Sequence, residues 1–267
     1  MDPTDVLTRP AEPPDAVLRY ADHPDGVVDV FLPASLGKPD RPAELVVLVH
    51  GGFWRQSWDR MHVRPLAQAL TQRGYVVAVP EYRRVGGTGG WPETGADVEA
   101  VLARLPGLLA QVAPGHAEPD APYALMGHSA GGHLALWAGL RAGPERVRSV
   151  VGLAPVADIR YAAAQGMGAR AVQDLLGGEE SDVPDQYANA DVLGLLRETT
   201  IPVTLIQGDA DPHVDVAMNR RLAGQPELGH VRYLELAGVE HFALIDPLTA
   251  TFEDWVLPAL RDDGQRG

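Results

Sequence analysis

Short, nearly continuous apolar runs recur along this sequence, each bounded within two residues by a glycine, a proline or a polar residue, and they constrain the fold more than any other feature. They occupy 45–49, 75–79, 123–126, 147–153 and 202–206. Runs of that length, rich in β-branched residues, suit strands buried on both faces, as in a parallel sheet. Between them lie stretches of helical spacing. One covers 60–73 and closes at Gly74; another covers 94–112, where Val98, Val101, Leu102, Leu105, Leu108, Leu109 and Val112 recur at intervals of three and four. A third, 130–142, stops at Gly143 and Pro144. Pro106 is expected to kink or shorten the second helix. Further strands are read at 27–32 and 231–236, and helices at 214–223 and 248–260. The alternation predicts an α/β protein with a mostly parallel central sheet flanked by helices.

A chain of 267 residues fits one large domain. The Pro- and acid-rich stretch 1–20 reads as an N-terminal arm with little regular structure, and 21–262 as a single domain. Within it, 159–199 changes character: short helical pieces at 169–176 and 191–196 suggest a small insertion capping a site. No run approaches the roughly 18 apolar residues that span a bilayer, so no membrane insertion is expected. The acidic start, Asp2 and Asp5, lacks an apolar segment behind it and points to a cytoplasmic protein. Oligomeric state is left open, a homodimer included.

Composition removes several chemistries. There is no cysteine, hence no thiolate nucleophile and no Cys-ligated metal. The one lysine, Lys38, lies in a Pro-rich loop, a poor place for a Schiff base. With 22 basic against 36 acidic residues the formal charge is −14, which disfavours nucleic acid and anionic membrane surfaces as partners. Neither a cofactor nor a metal is expected: His128 and His133, five apart, fall on different faces of a helix.

Met126-Gly127-His128-Ser129-Ala130-Gly131-Gly132-His133 places a serine between glycines where an apolar strand gives way to a helix. That is the pattern of a nucleophile elbow, in which a strained turn holds the hydroxyl clear of both elements. The plain alternative is a Gly-rich helix start. A second cue is His50-Gly51-Gly52-Phe53-Trp54, directly after the 45–49 run. Glycines there let backbone N–H groups turn toward a ligand and serve as oxyanion donors, or they simply form a βα turn. A serine hydroxyl needs an imidazole to take its proton and a carboxylate to orient that imidazole. Asp209, Asp211 and Asp215 follow the 202–206 run, and His241 follows the last strand. Loops that follow parallel strands emerge at one edge of the sheet, so these groups converge there with Ser129. Other histidines have blander readings. His128 and His133 are expected to point away into the sheet or along the helix, and His50 to support its own glycine loop. His213, His230, His116, His62 and His23 read as surface or loop residues.

Together these motifs resemble the α/β-hydrolase superfamily over about 25–260. Within it they resemble the hormone-sensitive-lipase-like esterases and, nearer still, the kynurenine formamidases. His50 to Trp54 fits HGGxW, with Phe53 where the esterases carry a third glycine. Tyr82-Arg83, Trp91-Pro92 and Asp97 are similar to the segment between oxyanion loop and elbow in both groups. Gly208-Asp209-Ala210-Asp211-Pro212-His213-Val214 fits the acid loop, and Glu240-His241-Phe242 the histidine loop of formamidases. The resemblance implies an α/β-hydrolase fold with a small cap, Ser129 as nucleophile, Asp211 as acid and His241 as base. It implies oxyanion donors at the N–H groups of Gly52, Phe53 and Ala130. The function implied first is an aryl formamidase converting N-formylkynurenine to kynurenine and formate through an acyl-enzyme. Trp54 and Trp91 would offer flat walls to the aromatic ring, and Arg55 or Arg83 a partner for its carboxylate. A carboxylesterase of small acyl or aryl esters shares every catalytic residue. A non-catalytic binding protein is disfavoured, because such chains typically lose a member of the triad.

Overall fold

The computed structural model describes residues 2, 4–34, 43–114 and 121–261; Lys38 and His116 lie outside the described residues. The apolar runs form one sheet of eight strands: β1 Ala16–Arg19, β2 Val27–Phe31, β3 Leu45–Val49, β4 Val76–Pro80, β5 Tyr123–His128, β6 Val147–Leu153, β7 Val203–Gly208 and β8 Arg232–Leu236. Their spatial order is 1-2-4-3-5-6-7-8. β1 and β2 pair antiparallel, as do β2 and β4, and every later pairing is parallel. In the middle of the sheet Val47 stands opposite Ala78 on one side and Leu125 on the other. The burial of β4 and β5 along their whole length explains their lack of polar alternation.

Helices cover both faces. α1 (Arg64–Gln72) is the first; α2 (Glu93–Val112) and α3 (Ala130–Ala142) follow in sequence but lie on the other face. Four short helices, α4 (Ile159–Ala164), α5 (Met167–Leu176), α6 (Pro184–Ala190) and α7 (Leu193–Glu198), fill the connection from β6 to β7. α8 (Val216–Ala223) joins β7 to β8, and α9 (Leu257–Arg261) is the last helix among the described residues, after a π-helical turn over Phe252–Val256. Leu66 and Leu70 of α1 share a buried cluster with Leu257 and Leu260 of α9. On the opposite face Val98, Val101 and Leu105 of α2 pack with Leu134 and Trp137 of α3. Among the described residues no helix is long and apolar enough to cross a membrane.

Two expectations are corrected. α2 runs unbroken through Pro106. Proline removes the N–H that would bond the carbonyl four residues back, Leu102, and that carbonyl instead accepts the Tyr123 hydroxyl at 3.2 Å. The N-terminal stretch is likewise more ordered than its composition suggests. A 3-10 turn at Asp5–Leu7 buries Val6 completely, β1 adds to the sheet edge, and Arg9 pairs with Asp246. β1 has four residues with only alternate partial burial, so its pattern carries little signal.

Candidate active site

Ser129 sits between β5 and α3 with φ 56° and ψ −121°, a conformation that L-residues rarely adopt. Its N–H bonds the Leu153 carbonyl of the adjacent strand at 2.8 Å, and its own carbonyl accepts the N–H groups of Gly132, His133 and Val156. Strain of this kind persists only where the surroundings fix it. Gly131 is part of that fixing: a Cβ there would stand 2.2 Å from the His50 carbonyl oxygen, so only glycine lets α3 close on the end of β3. Gly51 makes the reciprocal approach. A Cβ on it would lie 3.0 Å from the Ser129 Cβ, which puts the glycine loop directly beside the serine.

That loop is itself strained. Gly52, Phe53 and Trp54 have φ of 109°, 50° and 56°, three left-handed residues in succession. Each non-glycine costs about 1 to 3 kcal/mol, so the loop must be held from outside. The Trp54 carbonyl accepts the Val85 N–H at 2.8 Å, the Val85 carbonyl accepts the Gln56 N–H at 2.9 Å, and the Gly52 carbonyl accepts the Arg55 N–H at 3.0 Å. Below, the His50 ring stacks on Tyr82 at 4.3 Å and joins Glu81 at 2.7 Å, and the Tyr82 hydroxyl donates to the His50 carbonyl. Burial pushes the Glu81 carboxyl up, but His50, Arg84 and the Arg60 N–H outweigh it and bring the group down to about 2. Among the described residues the N–H groups of Gly52 and Phe53 have no acceptor. The Ala130 N–H, at the first position of α3, has none within its helix.

Of the three candidate aspartates, Asp211 is the one on the histidine. Its Oδ2 lies 2.7 Å from His241 Nδ1 and accepts Gln207 Nε2 at 2.9 Å; its Oδ1 accepts the N–H groups of His213 and Val214. All four bonds are accepted, so nothing on the carboxylate competes for the imidazole N–H. Asp209 instead takes the Gly238 N–H at 2.6 Å, and Asp215 caps α8 and binds the Tyr161 hydroxyl. With Nδ1 committed, Nε2 is the ring nitrogen left for other work. Sequence reasoning misses Gln207; an amide closing a mostly apolar strand is the signal that marks it, because such a group, wholly buried here, must have partners.

The expectation that Trp54 and Trp91 line a substrate pocket is not met: they are 0% and 6% exposed. The left-handed turn drives the Trp54 indole inward, edge-on to His133 at 5.4 Å. Trp91 packs on Trp137 at 4.8 Å and donates to Asn189 Oδ1, while Trp137 donates to the Asn189 carbonyl and His133 to that of Ala190. The aromatic group thus anchors the end of α6. His128 also departs from expectation, since its ring lies 4.3 Å from that of His241.

An eight-stranded, mostly parallel sheet with helices on both faces and a strained serine at the turn from a central strand into a helix is the α/β-hydrolase fold. Solved structures agree. Esterase B from Lactobacillus rhamnosis is 21% identical with a TM-score of 0.74, covering 98% of this chain and 89% of its own. A truncated carbohydrate esterase from gut microbiota is 17% identical with a TM-score of 0.75, covering 95% and 100%. Propionate-bound Est2, an esterase from Thermogutta terrifontis, is 17% identical with a TM-score of 0.67, covering 92% and 90%. Comparison with curated protein sequences finds no match. The chain belongs to the BD-FAE family, whose model matches residues 28–225.

Proposed function

We propose that this chain is a serine carboxylesterase that cleaves uncharged esters of small acyl groups through an acyl-enzyme on Ser129. The observation that carries the reading is the Asp211–His241 bond of 2.7 Å at the sheet edge that also holds the strained serine and the glycine loop. In the first half-reaction the Ser129 hydroxyl attacks the ester carbonyl carbon as His241 Nε2 takes its proton. Charge gathering on the carbonyl oxygen meets the N–H groups of Gly52, Phe53 and Ala130. His241 then gives the proton to the departing alkoxide, leaving the acyl ester on Ser129. In the second half-reaction water attacks that ester, His241 takes the water's proton, and the same proton returns to the Ser129 oxygen as the acid leaves. Asp211 holds Nδ1–H and stabilises the transient imidazolium.

Family membership and the esterase activities of the structural neighbours support an ester substrate. One neighbour, the Lactobacillus rhamnosis esterase B, is solved inhibited by a tributyrin phosphonate. One feature of this chain weighs against N-formylkynurenine, whose α-carboxylate would call for a free cationic partner. Arg83 is already tied to Asp97 by its N–H and guanidinium, and Arg55 to Asp174 and the Ala169 carbonyl. The β6–β7 connection acts in this reading as a cap. Arg55 joins it to the oxyanion loop, Tyr161 joins it to Asp215 beside the acid loop, and Gly168 leaves the space that the Phe53 ring fills.

The test is side-by-side turnover of p-nitrophenyl acetate, p-nitrophenyl butyrate and N-formylkynurenine by the wild-type chain and Ser129→Ala. Ester cleavage that is lost in the alanine variant, with formamide cleavage at least tenfold slower, is expected. Faster formamide cleavage would return the aryl formamidase reading, and ester turnover without Ser129 would sink both.

A further inference from the structure

His128, the last residue of β5, is 1% exposed and separates the elbow glycine from Ser129. Its Nε2 lies 3.2 Å from the main-chain carbonyl oxygen of His241. A carbonyl only accepts, so that nitrogen carries the proton and Nδ1 does not. Nδ1 is buried with no partner among the described residues, on the side facing Gly51, where a Cβ would stand 3.2 Å from it. A second proton there would have nowhere to go. Burial first, and then the neighbouring His241 and His62, hold the ring's pKa well below the usual histidine value. His128 is therefore a neutral, one-sided donor wedged between the strand of the serine and the loop of the base.

We infer that His128 is a positioning residue: its Nε2–H ties the His241 main chain to the strand that carries Ser129. This rests on the catalytic reading above and adds a second constraint to it. Asp211 fixes the imidazole of His241 from its far side, which sets the ring's tautomer and tilt. That bond orients the ring but does not itself set the distance of the 3-10 turn His241–Leu244 from the elbow; the other end of the turn is held in the core by Leu244. The carbonyl anchor ties the His241 end of the turn directly to the elbow strand, joining residues 113 positions apart in the chain. Proton transfer from a serine hydroxyl is steep in distance, and a misplacement of about 1 Å costs on the order of 100-fold in rate. Ester binding does not use this contact, so the loss belongs in kcat.

The experiment compares His128→Phe, His128→Gln and His128→Asn with wild type and Ser129→Ala, reading kcat and KM for p-nitrophenyl butyrate and the thermal midpoint of each. Phenylalanine keeps the flat ring and loses the donor. Glutamine loses the ring but presents an N–H about as far out as Nε2. The expected result is a kcat lowered about 10- to 100-fold in His128→Phe with KM within about twofold. Glutamine recovers most of that loss. If phenylalanine performs as well as glutamine or better, His128 only fills space and the inference falls. Should the phenylalanine variant not fold, asparagine, whose N–H is drawn back out of reach of the carbonyl, takes its place in the comparison. Ester turnover that survives Ser129→Ala would instead overturn the catalytic reading beneath it.

Discussion

Asp211 gives four acceptor contacts to four N–H groups, and only one of them is on His241. Replacing it with asparagine keeps the shape but turns an N–H toward the imidazole or toward its own loop, so the wrong tautomer of His241 is favoured. Asp211→Asn is expected to lower kcat on the order of 10⁴-fold, as the corresponding change does in serine proteases, with the fold intact by circular dichroism. Asp215→Asn, which touches the cap and α8 rather than the histidine, is expected to cost less than about tenfold. A reversal of that ranking would move the acid to Asp215. The candidates Ser129 and Asp211 are legible in the sequence because each follows an apolar run that is easy to see, whereas His241 follows the half-exposed β8 and is read from its Glu-His-Phe motif. Their supports are not legible. Nothing in the pattern distinguishes a His128 aimed at the base from one aimed into the sheet, because the last residue of a buried strand has core on both sides.

Among the elements, the contact that decides the site is the approach of α3 to β3. With Gly131 pressed on the carbonyl oxygens of Val49 and His50, a methyl group has no room, and both obstacles are backbone. Gly131→Ala must push α3 outward or twist the glycine loop. A loss of about 2 to 3 kcal/mol in urea unfolding is expected, together with reduced ester turnover. A variant of wild-type stability would mean that the elbow has slack. The strands β3 to β7 are legible within a residue or two because burial on both faces imposes a nearly continuous apolar run, while β2 and β8 show only a mixed pattern of apolar and charged residues. α2 was legible by its period, and Pro106 misled only because the rescue of the Leu102 carbonyl comes from Tyr123, on another element. α4 and α6 were not legible. Each is six or seven residues long, and α6 is held by contacts from Trp91, Trp137 and His133 that lie far off in sequence. The left-handed run Gly168, Ala169 and Arg170 at the start of α5 is equally invisible, since two of its three residues are not glycine.

On the scale of the molecule, several imidazoles are folded away from water. Burial, then the nearby His50, brings His62 down to about 4, and burial brings His133 to about 4 as well. Both folded values lie below the unfolded one of about 6.5, so the unfolded chain binds more protons between those limits. The stability these groups contribute is complete above pH 6.5 and is lost as pH falls toward 4, on the order of 3 kcal/mol each. Thermal midpoints are expected to drop steadily from pH 6.5 to 4, and His62→Leu to flatten the slope. A flat wild-type profile over that range would contradict the burial of these rings as neutral groups. What the sequence hid at this scale is how the N-terminal stretch is used. Val6 and Arg9 look like parts of an acidic, proline-rich tail, yet one is sealed in the core beside Ile245 and the other grips Asp246.

The Arg9–Asp246 pair spans 237 residues, and its far end lies five positions past His241. A contact exists only once both of its partners have been synthesised. The glycine loop and Ser129 precede His241 and Asp246 in the chain, so they are synthesised first. A fragment ending before residue 240 therefore holds Ser129 and the glycine loop but neither His241 nor Asp246, and under the proposed mechanism its serine has no imidazole to take its proton.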